Sequence, residues 1–275
     1  MSKTLLLVSV RCADEVATAV DGGADIIDVK EPSHGSLGMA TPETLATCAT
    51  VVPEQLLWTV AGGELVENIE SGFAAVQEVG VREVGGQEAG GQEAGGQGVA
   101  CSRRSLKRLP DAVKFGLSQC EGTPWEHVFQ NVGGQLPECV QVIPVAYADQ
   151  QAASSPAVDT VLEAAARHGW ETVHVDTFDK LQSGSLLDLV AVGTIEQWVA
   201  RARDLGVRIV LAGRLSLQEV PVVAACEPMA VAVRSAVCVG GRNGRVDIEL
   251  VRMVASQCRF GSVERERDRS VRNTY

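Results

Sequence analysis

Lysine is the residue whose placement in this sequence most directly indicates chemistry. Five of the 24 Lys and Arg residues are lysines, and three of these lie at the ends of apolar, β-rich runs: Lys30 in DIIDVK, Lys114 in DAVKFG and Lys180 in HVDTFDK. A lysine ammonium can lose its proton, which an arginine guanidinium effectively cannot. The placement therefore predicts an enzyme that uses a lysine amine as a nucleophile or proton carrier.

Two aspartates accompany these lysines, Asp28 in DIIDVK and Asp176 in HVDTFDK. A lysine that attacks a carbonyl must be neutral, and both burial and a second nearby cation lower its pKa. Lys114 or Lys180 could supply that cation to Lys30. Asp28 favours the charged amine, so its expected task is proton transfer or orientation. The alternative is that each Asp–Lys pair is a structural ion pair at a strand end.

Two later segments, AGRLS and VRSAVCVGGRNGR, combine glycines with arginines. Glycine lets backbone amides approach an anion closely, and arginine pairs well with phosphate. We predict a phosphate site formed by Gly213, Arg214, Arg234, Ser235, Gly240 and Gly241. The alternative for the arginines is a salt bridge that closes the fold.

The segment after Lys30, EPSHGSLG, is rich in turn formers and could close over a substrate. Ser33, Gly35 and Ser36 are compatible with phosphate. His34 could donate a proton, but a solvated loop residue is the favoured interpretation.

Short β-rich runs alternate with helix-length segments, a pattern typical of parallel strands joined by helical crossovers. Eight such units in 275 residues fit a single (β/α)8 TIM barrel over residues 1–275. An open doubly wound sheet is the alternative, but it would more often carry a glycine-rich turn where residues 9–12 read SVRC. We predict strands at Thr4–Val10, Ala24–Lys30, Gln55–Ala61, Ala112–Gly116, Val140–Ala146, Thr172–Asp176, Arg208–Ala212 and Met229–Val233.

A barrel explains how distant residues could meet. Its active site lies at the carboxyl ends of the strands. Side chains alternate between the two faces of a strand, so one face of each strand lines the interior. The alternation directs Asp28, Lys30, Lys114 and Asp176 inward at this end, with Lys180 further out on a loop.

Two segments depart from the alternation. A glycine-rich GGQEA repeat forms a predicted flexible insertion at residues 85–98, before strand 4. We predict a tolerated surface loop, with a partner-binding loop as the alternative. Residues 262–275 form a charged tail.

Composition excludes several classes of function. A net charge of −11 disfavours nucleic-acid binding. No apolar run is long enough to cross a membrane, and the first residues do not resemble a signal peptide. The cysteines are scattered without metal-ligand spacing, so no metal is expected. We expect a cytoplasmic enzyme with a small-molecule substrate; a homo-oligomer is compatible with a barrel.

The segments GGADIIDVKEPSHGSLG, DAVKFGL, VHVDTFDK, LAGRLSL and AVRSAVCVGGRNGRVD together resemble the (5-formylfuran-3-yl)methyl phosphate synthase family of methanofuran biosynthesis. The resemblance implies a TIM-barrel lyase that condenses two glyceraldehyde 3-phosphates with loss of phosphate and water, without a metal or organic cofactor. It implies that Lys30 forms the Schiff base and that Lys114 accepts a proton. It also places Asp28, Asp176 and Lys180 in the active site. The GGQEA repeat and the tail have no counterpart in this resemblance.

Three other functions fit the same residues. One is a class I aldolase acting on another phosphorylated aldehyde, and another is a metal-independent phosphosugar isomerase. The third is a non-catalytic phosphometabolite-binding barrel.

Overall fold

A computed structural model describes residues 3–67, 108–180, 182 and 184–259. Eight parallel strands close into a barrel in sequence order, and β8 pairs with β1. The strands are β1 (Leu5–Val10), β2 (Ile26–Val29), β3 (Leu57–Glu64), β4 (Ala112–Gly116), β5 (Gln141–Tyr147), β6 (Thr172–Asp176), β7 (Arg208–Leu211) and β8 (Ala230–Val233). The predicted TIM barrel is confirmed. The predicted insertion at 85–98 and the tail at 262–275 lie outside the described residues.

Helices connect the strands. They span Ala13–Gly22, Pro42–Cys48, Trp125–Gly133, Gln150–Ala153, Val158–His168, Leu186–Leu189, Val192–Asp204 and Val220–Ala224, and residues 65–67 and 248–259 are also helical. Short 3-10 turns occupy Pro32–His34, Ser235–Val237 and Gly241–Asn243. After β8, two-residue strands β9 (Cys238–Val239) and β10 (Arg245–Val246) pair as an antiparallel hairpin. The sequence did not predict this hairpin, which lies beyond the last barrel strand.

The strands separate two apolar regions. Side chains on the outer face, such as Ile27, Phe115 and Val173, belong to the main core that packs with the helices. A smaller apolar cluster includes Leu7 and Ile26 and shares the inner face with the polar residues further along each strand. The barrel interior is therefore apolar near the amino ends of the strands, whereas toward their carboxyl ends the charged residues lie beside a further small apolar cluster that includes Ala61 and Val145.

Of the helices in the part of the chain that the structure describes, none is long and apolar enough to cross a membrane.

Candidate active site

One Asp–Lys ion pair is held entirely by barrel strands. Lys114 on β4 places its Nζ 2.7 Å from Oδ1 of Asp28 on β2, and both side chains are buried. Ser9 Oγ donates to Asp28 Oδ2 at 2.9 Å, and Thr59 Oγ1 donates to Asp28 Oδ1 at 2.7 Å. We call Asp28–Lys114 the strand pair.

The electrostatics of the strand pair favour an ionised carboxylate. Burial by itself would raise the pKa of Asp28, but the ammonium groups of Lys114 and Lys30 outweigh it. Hydrogen bonds from Lys114 and Thr59 act in the same direction as those charges. The pKa of Asp28 is therefore held below its ordinary value.

A second Asp–Lys ion pair forms where β6 enters the following loop. Lys180 Nζ lies 2.6 Å from Asp176 Oδ1 and 2.9 Å from Thr177 Oγ1. Ser36, from the loop after β2, donates through Oγ to Asp176 Oδ2 at 3.1 Å and is also 2.9 Å from the Thr177 carbonyl oxygen. We call Asp176–Lys180 the loop pair.

Opposing effects also set the ionisation of the loop pair. Burial would raise the pKa of Asp176, but Lys180 and Lys30 lower it below its ordinary range. Burial lowers the pKa of Lys180, while Asp176 partly restores it. Asp176 and Lys180 thus form an ion pair within their own motif, whereas Asp28 pairs with Lys114 of the neighbouring motif and not with Lys30.

Lys30 lies between the two pairs and differs from both other lysines. Its side chain is buried, and Nζ makes a long 3.4 Å hydrogen bond to the carbonyl oxygen of Ser36. Within the described residues, no carboxylate lies within ion-pair distance of this amine. Burial is the main cause that lowers the pKa of Lys30; Asp176 and Asp28 raise it, Lys114 and Lys180 lower it, and the net pKa is about 7. A large fraction of Lys30 is therefore a neutral amine near pH 7.

A small cavity of about 30 Å³ adjoins this amine at the carboxyl ends of the strands. Four of the six predicted phosphate residues line it together with Lys30 and the loop pair: Gly213, Arg214, Arg234 and Ser235. Gly213 also has a packing reason to be glycine, because a Cβ there would lie 2.9 Å from Cγ2 of Thr177. The other two predicted residues, Gly240 and Gly241, adopt positive φ in the β9–β10 turn and do not line this cavity.

Arg234 has an internal partner for each of its N–H groups. Its guanidinium forms a buried ion pair with Glu15, with Nη1–Oε2 and Nη2–Oε1 distances of 2.5 and 3.1 Å. The remaining N–H groups donate to the carbonyl oxygens of Ser9, Arg242 and Gly244. These contacts correspond to the salt bridge that the sequence left as the alternative, and they leave no donor for a phosphate.

Arg242 is a cavity residue that sequence reasoning missed. Its guanidinium lines the same cavity and donates through Nε to the Pro32 carbonyl oxygen at 3.2 Å and through Nη2 to that of Gly35. The available signal was its position between two glycine groups in GGRNG. The sequence did not show that a hairpin turns this residue toward the loop after β2, because the two strands of that hairpin are only two residues long.

The predicted residues of the loop after β2 differ in their exposure to solvent. Ser33 and His34 are exposed, whereas Ser36 is buried against the loop pair. Ser36 is therefore the residue of this loop whose side chain contacts the loop pair, Gly35 contributes its carbonyl oxygen to Arg242, and the solvated interpretation suits His34.

Among the residues that the structure describes, no group of three or more His, Cys, Asp or Glu side chains is arranged to hold a metal ion.

Comparison with known sequences adds to this geometry. Residues 6–255 match the family described as 4-HFC-P synthase. The chain is 30% identical over 259 residues to the (5-formylfuran-3-yl)methyl phosphate synthase of Methanopyrus kandleri, covering 91% of this chain and 97% of that protein. It is 27% identical over 257 residues to the synthase of the same name from Methanocaldococcus jannaschii, covering 93% and 100%.

Solved structures show the same architecture at lower identity. Phosphoribosyl anthranilate isomerase from Thermotoga maritima superposes with a TM-score of 0.59 at 15% identity, covering 93% of this chain and 98% of that one. For 3-hexulose-6-phosphate synthase from Salmonella typhimurium the TM-score is 0.57 at 15% identity, covering 93% and 100%. At this identity the likeness shows the barrel fold alone.

Proposed function

The chain belongs to the 4-HFC-P synthase family, and we propose that it catalyses the synthesis for which its relatives are named, that of (5-formylfuran-3-yl)methyl phosphate. The observation that carries the proposal is the Lys30 amine. It is buried, has no carboxylate partner among the described residues, and has a pKa lowered to about 7. Such an amine is suited to attack an aldehyde.

The proposed substrate is glyceraldehyde 3-phosphate. Two molecules condense to the six-carbon furan aldehyde phosphate, and the atoms balance when one phosphate and two water molecules leave. On this proposal the enzyme is a cytoplasmic lyase that needs neither a metal nor an organic cofactor. Its product is a precursor of a methanofuran-type one-carbon carrier.

In the first step Lys30 Nζ attacks the aldehyde carbon and forms a carbinolamine. We assign Lys114 to donate a proton to the departing hydroxyl, so that water leaves and a protonated imine remains. Lys114 is then a neutral amine beside Asp28. It can therefore accept the proton from the carbon next to the imine, which gives an enamine and restores the strand pair.

The enamine has a nucleophilic carbon that can attack the second aldehyde, and an electron pair that can expel phosphate. The later dehydrations require proton transfers near the second half of the site. We assign these to Asp176 and Lys180, whose ion pair lies next to Lys30 across Ser36. The cavity beside them is the proposed phosphate site, with Gly213, Arg214 and Ser235 among its residues.

Borohydride reduction in the presence of glyceraldehyde 3-phosphate tests this proposal, because it converts an imine into a stable secondary amine. Peptide mass spectrometry should find the adduct on the Lys30 peptide alone. Untreated enzyme should release inorganic phosphate and form a conjugated furan aldehyde that absorbs in the ultraviolet. Lys30→Arg is the matched control, since it keeps the charge but cannot form an imine, and we expect it to abolish turnover.

Other outcomes would change the assignment in different ways. An adduct on Lys114 or Lys180 would overturn the assigned roles. Carbon–carbon bond formation without phosphate release would indicate a class I aldolase. Substrate binding without any adduct would indicate an isomerase or a binding protein, and near-normal activity of Lys30→Arg would rule out the Schiff base.

A further inference from the structure

We propose that Arg242 is the residue that selects a phosphorylated aldehyde: it binds the substrate phosphate while two carbonyl groups of the loop after β2 fix its orientation. This inference rests on the proposed function for the identity of the substrate. It concerns a residue that the sequence motifs did not single out.

The first support is the count of unused donors. Among the described residues, Arg242 uses two of its five N–H groups, one on the carbonyl of Pro32 and one on that of Gly35. Arg234 uses all five on internal acceptors. Of these two cavity arginines, Arg242 is therefore the one with hydrogen-bond donors left for a ligand.

The second support is the charge around the cavity. Within the part of the chain that the structure describes, no carboxylate lies within salt-bridge distance of Arg242, and its hydrogen-bond acceptors are neutral carbonyls. Lys30, Lys180 and Arg214 line the same cavity. The carboxylate that lines it, Asp176, is already paired with Lys180. An anion entering this cavity would meet an excess of positive charge, and a planar guanidinium matches the geometry of phosphate oxygens.

The third support is the way in which Arg242 is held. Its backbone carbonyl accepts from Arg234 Nε at 3.0 Å, so the buried ion pair of Arg234 and Glu15 anchors the hairpin turn. On the other side, Arg11 pairs with Glu31 and donates to the Asn243 carbonyl at 3.2 Å. A guanidinium fixed between two segments loses little further freedom when it binds a ligand.

The position of Arg242 links phosphate recognition to the reactive amine. The loop residues that accept from Arg242 precede Ser36, whose carbonyl oxygen accepts from Lys30. A phosphate held by Arg242 would tether its aldehyde beside Lys30. Loss of Arg242 should therefore penalise a phosphorylated aldehyde and spare one that lacks phosphate.

The test compares Arg242→Gln with Arg245→Gln. Arg245 lies three residues away in the same hairpin, is 84% exposed and does not line the cavity. Calorimetry with inorganic phosphate should show binding weakened about tenfold or more in Arg242→Gln. It should show a change of less than about twofold in Arg245→Gln, as expected for a surface substitution. Arg242→Lys keeps the charge and should fall between Arg242→Gln and the unaltered protein.

A second measurement separates phosphate recognition from folding and from the imine proposal. Borohydride trapping is run with glyceraldehyde 3-phosphate and with unphosphorylated glyceraldehyde. In Arg242→Gln we expect the preference for the phosphorylated aldehyde to fall about tenfold or more, with glyceraldehyde trapping unchanged. An equal loss with both aldehydes would indicate a structural role, and unchanged phosphate binding would also overturn the inference. If neither protein forms an adduct but phosphate binding still requires Arg242, the imine proposal fails and the binding role of Arg242 stands.

Discussion

The strand pair and the loop pair consist of the same two residue types but have different supports. Asp28 receives its other hydrogen bonds from Ser9 on β1 and Thr59 on β3. Asp176 instead receives them from Ser36, in the loop after β2, and from the backbone N–H of Thr177. The barrel sheet fixes the first pair, whereas the second depends on residues in two loops.

This difference suggests a division of labour around Lys30. A proton carrier fixed by the sheet keeps one geometry through the reaction, which suits the repeated proton transfer that we assign to Lys114. A carrier fixed by loops can adjust when those loops contact a substrate, which suits the later steps that we assign to Lys180. Lys30 belongs to both regions, because its backbone continues β2 and its amine reaches the Ser36 carbonyl.

The largest expected effect is the loss of stability when each aspartate is neutralised. Asp28→Asn should cost about 3–5 kcal/mol of unfolding free energy, because it leaves Lys114 charged and buried without its partner. Asp176→Asn should cost about 1.5–3 kcal/mol, because Lys180 is more exposed and keeps the Thr177 hydroxyl. Denaturant titration of both variants measures the difference. Equal losses would contradict the distinction between the two pairs.

The next effect is on the pH dependence of imine formation. Lys30 must be neutral to react, so the trapping rate should rise with pH through about 7, the pKa that burial and the neighbouring charges together give this amine. Both aspartates raise the pKa of Lys30, and Asp176 does so more strongly than Asp28. Asp176→Asn should therefore move the rise to lower pH.

Asp28→Asn serves as the comparison in this experiment. It should move the rise in the same direction but by less, since its carboxylate contributes less to the pKa of Lys30. The observable is the rate of borohydride trapping with glyceraldehyde 3-phosphate against pH. A shift to higher pH in either variant, or a larger shift in Asp28→Asn, would show that the charges around Lys30 are wrongly assigned.

Much of the fold could be predicted from sequence because a parallel barrel repeats a local signal. The strands Ala112–Gly116 and Thr172–Asp176 were predicted with their observed bounds. The others differ by up to three residues at their ends; the largest difference is at β3, which continues past Ala61 through Gly62 and Gly63 to Glu64. Alternation along β2 and β4 was enough to predict that Asp28 and Lys114 share the interior, and the structure confirms that they meet.

The roles of the two arginines could not be predicted in the same way. Whether Arg234 or Arg242 keeps donors for a ligand depends on Glu15, which is 219 residues from Arg234 in sequence. It also depends on the two-residue strands β9 and β10, which are too short to leave a periodic signal. The contact of Ser36 with Asp176 likewise joins residues 140 apart. Such pairings follow from the closed barrel and its loops, and local patterns do not encode them.

The smallest expected effect comes from removing one hydroxyl from each pair. Thr59→Val should cost about 1.5 kcal/mol of unfolding free energy, because the Asp28 carboxylate loses a donor inside the sheet. Ser36→Ala should cost less, about 1 kcal/mol, because its single hydroxyl hydrogen is shared between Asp176 Oδ2 and the Thr177 carbonyl oxygen. Turnover should show the opposite order, with the larger loss of kcat in Ser36→Ala, since that hydroxyl joins the loop beside Lys30 to Asp176. If Thr59→Val lost more activity and Ser36→Ala lost more stability, the sheet would be the adjustable region and the loops the fixed one.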